Sequence, residues 1–64
     1  MARADVEAVV AKFGAESDQQ VVSELRALIK SDPQNRAELG GVIITLPVER
    51  RREVMSKIPK PWQK

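Results

Sequence analysis

A chain of 64 residues with no cysteine and no histidine must hold its fold together by apolar packing alone. Disulfides are impossible, and a structural zinc site draws on thiolates or imidazoles. A domain of this size lies near the lower limit for unaided folding, with a core that supplies about 3–5 kcal/mol of net stability. Well-packed helices or self-association are the supports that remain.

The same absences constrain chemistry. Acid–base catalysis near neutral pH commonly uses an imidazole, and acyl transfer uses an activated Ser or Cys beside a base. Tyrosine is missing too. The expectation is a chain that binds and does not catalyse, with no cofactor and no metal. Gly40-Gly41 lacks the Lys-Ser/Thr of a phosphate loop, and Glu49 with Glu53 reads as a solvated helix face. Asp5, Glu7 and Lys12 interrupt the opening stretch, which therefore lacks the apolar run of a signal peptide. No run approaches the roughly 18 apolar residues of a membrane span, so a soluble, cytoplasmic protein without membrane contact is expected.

Four segments with helical spacing follow one another. Val6, Val9, Val10 and Phe13 recur at i, i+3, i+4 and i+7, and Gly14 stands where a left-handed stop is needed. Ser17-Asp18-Gln19-Gln20 reads as a capping box ahead of Val21, Val22, Leu25, Leu28 and Ile29. Asp32-Pro33 closes that helix and opens the next, as N-cap and first helical residue. The third segment carries the stripe Leu39, Val42, Ile43 and Leu46.

Here the signals conflict. Two glycines cost about 2 kcal/mol in a helix interior, and Val42 to Thr45 is a β-branched run. A strand would need a partner, and the sequence offers none, so helix is expected. A two-stranded ribbon across a dimer is the alternative. As a helix, the segment would also carry Ala37, Gly40, Gly41 and Ile44 on its other side. Apolar on two sides, it would be buried at the centre of the fold or at a dimer seam. Pro47 starts a fourth helix that runs to Ile58.

These segments predict an all-α fold: a compact bundle of four short helices arranged as two helical hairpins, with a homodimer favoured by the marginal core. Residues 1–58 would form one helical domain. Residues 59–64 would form a Pro/Lys/Trp tail on an extended, polyproline-like path.

Charge is unevenly placed, at −2 over residues 1–32 and +4 over residues 33–64. The halves are expected to attract each other, within one chain or across a dimer. The run Arg50-Arg51-Arg52 splays in three directions on a helix. Arg50 shares a side with Lys57, with Glu53 between them, and Arg51 falls inside the apolar arc of Val48, Val54, Met55 and Ile58. Arg51 is expected either to lay its stem along the core edge, to pair with a carboxylate of the acidic half, or to anchor a partner's carboxylate. Trp62, the one tryptophan, would pack back on the bundle or enter a partner's pocket.

The leading functional reading is a regulatory or adaptor module that binds another protein through residues 47–58 and the tail, using Arg50, Arg51, Met55, Lys57 and Trp62. The alternative is a small nucleic-acid-binding regulator that uses Arg50, Arg52, Lys57 and Lys60. A helix-turn-helix over Val9 to Ser23 fits poorly, because Gln20 and Ser23 fall where apolar residues belong. Leu46-Pro47-Val48-Glu49-Arg50-Arg51-Arg52-Glu53-Val54 is similar to the Leu-Pro-x-x-x-Arg-Glu-Val-Leu stretch that leads into the helix-turn-helix of sigma-factor region 4. That likeness spans under a sixth of the sequence, with no reading helix after it, and implies no function here.

Overall fold

Each helix begins and ends for a reason that can be named. In the computed structural model, which describes residues 3–63, α1 spans Arg3–Val10 and α2 Asp18–Ser31. The third helix, α3, spans Gln34–Ile44, α4 spans Val48–Lys57, and a 3₁₀ turn, Lys60–Gln63, closes the chain. Helical turns cover 77% of the described residues, and no strand occurs among them.

Tight turns after Val10 end α1, with Phe13 N–H donating to Val10 O and Gly14 at φ +93°. A side chain rarely adopts that φ, which is why glycine stands there. Ser17 Oγ accepts from Gln20 N–H at 3.2 Å and caps α2. Asp32, extended at φ −150°, accepts from Gln34 N–H at 3.0 Å through its side chain and so caps α3, with Pro33 already helical.

The Val42 to Thr45 region is helix up to Ile44, which removes the intermolecular ribbon. Tertiary packing overrides the local preference: Leu39, Val42 and Ile43 are buried on one side, and β-branched residues on that side cost less than exposing them. This helix packs against all three others and most extensively against α1, so it stands at the centre of the fold. The two hairpins α1–α2 and α3–α4 are joined across the α1–α3 contact. The core unites Val6, Val10, Phe13, Val21, Leu25, Leu39, Val54 and Ile58. A radius of gyration of 10.5 Å matches the roughly 10.7 Å of a compact chain this long.

The other side of α3 departs from expectation. It is not buried between neighbours: Ala37 and Gly40 are exposed, and Ile44 is 68% exposed. Only Gly41 is covered, by the Arg3 guanidinium, to which an added Cβ would come within 2.5 Å. Val48, placed by its spacing in the apolar arc of α4, is 56% exposed because it is the helix's first residue and precedes the buried turn.

The tail also differs. Residues 60–63 wind into a 3₁₀ turn, with Trp62 N–H donating to Pro59 O at 3.0 Å. Proline fixes φ but not ψ, so alternating prolines suit a tight turn as well as an extended strap. Contacts to Trp62 and to Pro61 O select the turn.

Candidate functional site

The surface that gathers the most sequence-selected residues is a groove of about 510 Å³ between α3, α4 and the terminal turn. Its floor is the open side of α3, namely Ala37, Gly40 and Ile44, with buried Ile43 beside them. Met55 and Trp62 form the apolar walls, and Arg36 and Arg51 stand at its edges. An added Cβ at Gly40 would meet nothing within 4 Å, so the missing side chain leaves open space in the groove rather than relieving a clash.

Trp62 packs back on its own domain, half-buried against the core, while the rest of it lines the groove. Arg26 stacks over its ring at 5.6 Å, and Arg36 holds the adjacent Pro61 carbonyl.

The three consecutive arginines have three separate environments. Arg50 turns inward: its guanidinium donates to Val10 O at 3.3 Å, to Phe13 O at 2.9 Å and to Glu53 at 2.8 Å. It thereby supplies the cation that the last turn of α1 lacks. Arg51 does the same for α3, donating through Nη2 to Ile44 O and Leu46 O, each at 3.3 Å. Among the described residues it forms no ion pair with the acidic half, and its Nε is buried without a hydrogen-bond partner. Arg52 is exposed. Lys57 is also engaged, with Asp18 at 3.3 Å, Glu53 at 3.4 Å and the Phe13 ring at 5.8 Å.

Of the five residues expected at a partner surface, Arg51, Met55 and Trp62 thus share the groove, whereas Arg50 and Lys57 lie elsewhere. Of the four expected to meet nucleic acid, Arg50 and Lys57 are tied into the bundle. Arg52 and Lys60 have no ion pair among the described residues. Lys64, part of the basic half, lies outside the described residues.

Attraction between the halves is slight. Lys57–Asp18 and Arg3–Glu38, at 3.3 and 2.7 Å, are the ion pairs that join them among the described residues. Most of the basic excess therefore remains on the surface, and the groove lies within it.

Asn35 is a residue that spacing missed. It lies four positions before Leu39 on the buried stripe, at 2% exposure, and donates to Leu28 O at 2.6 Å at the end of α2. Its position on that stripe was the available signal, obscured by its polarity.

Two carboxylates give the bundle a pH response. A hydrogen bond from Lys12 lowers the Glu24 pKa, and hydrogen bonds from Arg50 and Lys57 lower that of Glu53. A depressed carboxylate stabilises the fold above its unfolded pKa, near 4.3, and that contribution is lost as pH falls through the folded value. The melting temperature should hold level from neutral pH to about 5 and drop below about 4.3. In Glu53→Gln the drop should be shallower, and an unchanged acid limb in thermal melts would remove Glu53 from this role.

No helix of the described residues is long and apolar enough to cross a membrane. No protein family, no curated protein and no solved structure matches this chain.

Proposed function

We propose that the protein is a small, non-catalytic adaptor or regulatory module of the cytosol that binds another protein through the groove between α3, α4 and the Trp62 turn. One observation carries this reading: the open side of the central helix is apolar, contains a glycine with empty space above it, and is walled by Met55 and Trp62. Glycine costs about 0.5–1 kcal/mol relative to alanine in a helix. No packing need inside the domain accounts for Gly40, and room for a partner does.

Self-association is the second reading, favoured by the 68% exposure of Ile44 beside that glycine. Duplex binding is less well supported, because Arg50 and Lys57 already hold partners within the bundle.

Gly40→Leu tests the site. The substitution has space and improves helix propensity, so the variant should melt no lower than the parent while filling the groove. Capture of a partner from the native host should be lost with Gly40→Leu and retained with Arg52→Ala. Capture that survives Gly40→Leu would move the binding surface elsewhere.

A further inference from the structure

Resting on that reading, we infer that the groove takes an acidic amphipathic helix of a partner protein, its apolar face on α3, Met55 and Trp62 and its carboxylates on Arg36 and Arg51.

The charge of the lining points to this occupant. Among the described residues, two guanidiniums and no carboxylate line the groove, and no carboxylate lies within ion-pair distance of Arg36 or Arg51. Arg26, on the Trp62 ring, adds a third cation nearby and also lacks an ion pair there. Both groove arginines are held in place by backbone carbonyls, Arg36 by Pro61 O and Arg51 by Ile44 O and Leu46 O. Each guanidinium has five donors in a fixed fork, and those not bound to carbonyls or enclosed remain for a ligand, Nη1 in the case of Arg51, whose Nε is buried. Cations fixed in advance, beside an apolar floor, suit carboxylates flanking an apolar stripe.

The shape selects a helix. Ala37, Gly40 and Ile44 follow one another at i, i+3 and i+7 along α3, and the absent Cβ at Gly40 admits a close backbone. No strand edge exists among the described residues for an extended peptide to join, and a groove along a helix with a close-approach glycine suits helix-in-groove packing. A second copy fits less well. A two-fold contact through this face would gather two copies of Arg36 and of Arg51 in one interface, with no carboxylate in the described lining to offset them.

The test uses three helical peptides of about 18 residues, or five turns, with one shared Leu/Ala face. Their polar faces carry Glu, Gln or Lys. Binding is read from the emission of Trp62, the sole tryptophan. The Glu peptide should bind about tenfold tighter than the Gln peptide, and the Lys peptide weakest. Arg36→Gln and Arg51→Gln should each reduce Glu-peptide affinity about two- to fivefold, the range of rim ion pairs, and leave Gln-peptide affinity unchanged. Gly40→Leu should abolish binding of all three.

Equal affinities for the Glu and Gln peptides, both abolished by Gly40→Leu, would overturn the acidic partner and leave a protein-binding groove. Sedimentation showing a dimer that Gly40→Leu dissolves would make a second copy the occupant and overturn the inference. Failure of every peptide to bind would also overturn it. Capture indifferent to Gly40→Leu would then remove the groove reading as well.

Discussion

Leu39→Ala should leave the chain largely unfolded at room temperature. Leu39 is 1% exposed on α3, the helix that packs against α1, α2 and α4. Truncating a buried leucine costs about 2–5 kcal/mol, the lost transfer energy plus that of the cavity left behind. A domain of this size has about 3–5 kcal/mol in total. Leu39 belongs to the one core cluster that draws on all four helices, so the loss is not confined to its own hairpin. Circular dichroism should show most of the helical signal gone and no cooperative melt. Ile44→Ala, five residues further along the same helix but 68% exposed, should stay within about 0.5 kcal/mol of the parent. A Leu39→Ala variant that melts cooperatively near the parent's temperature would mean that α3 is not the hub of this core.

What the sequence reveals of this fold is the part fixed by neighbours along the chain. Ser17, Asp32 and Gly14 mark helix ends because a cap or a left-handed turn depends on a few adjacent residues. Apolar spacing likewise identifies Val6, Val9, Leu25, Leu39 and Val42 as core. The rest depends on partners remote in sequence. Arg50 meets carbonyls 37 and 40 residues away, and carbonyl groups leave no trace in a sequence. The adjacent glycines look alike on paper. Gly41 makes room for Arg3 from another helix, whereas Gly40 opens onto the groove. Asn35 was hidden because its partner is again a carbonyl, at the end of α2. For the candidate site, Arg51, Met55 and Trp62 were legible as a set because amphipathic spacing and a lone large aromatic are chain-local signals. The floor contributed by α3 was misplaced, since spacing shows that a face is apolar but not whether a neighbour covers it.

The arginine run gives the sharpest contrast between spacing and structure. Were Arg51 paired with a carboxylate or anchoring a partner, as its spacing allows, its loss should cost most, with Arg50 and Arg52 within about 0.5 kcal/mol. The contacts reorder them. Arg50→Ala should cost about 2 kcal/mol, because charge-assisted hydrogen bonds to protein groups contribute about 1.5–3 kcal/mol. It removes three at once, to Val10 O, Phe13 O and Glu53. Val10 O keeps its bond from Phe13 N–H, but Phe13 O has no other donor among the described residues. Arg51→Ala should cost about 1 kcal/mol, since both of its bonds are long at 3.3 Å. Arg52→Ala, at an exposed position, should stay within about 0.5 kcal/mol. Arg50→Lys should recover little, because an ammonium cannot reach two carbonyls and a carboxylate with the geometry of a planar fork. Urea titrations of the four variants measure the order directly. Three equal midpoints for the alanine variants would make the Arg50 contacts energetically empty, and a largest loss at Arg51 would restore the ranking drawn from spacing. The order also bears on binding. If Arg50 is the structural member, its substitution weakens partner capture only through the folded fraction, and added osmolyte should restore it. Loss of capture in Arg51→Ala should persist when the protein is fully folded, because there the guanidinium borders the groove itself.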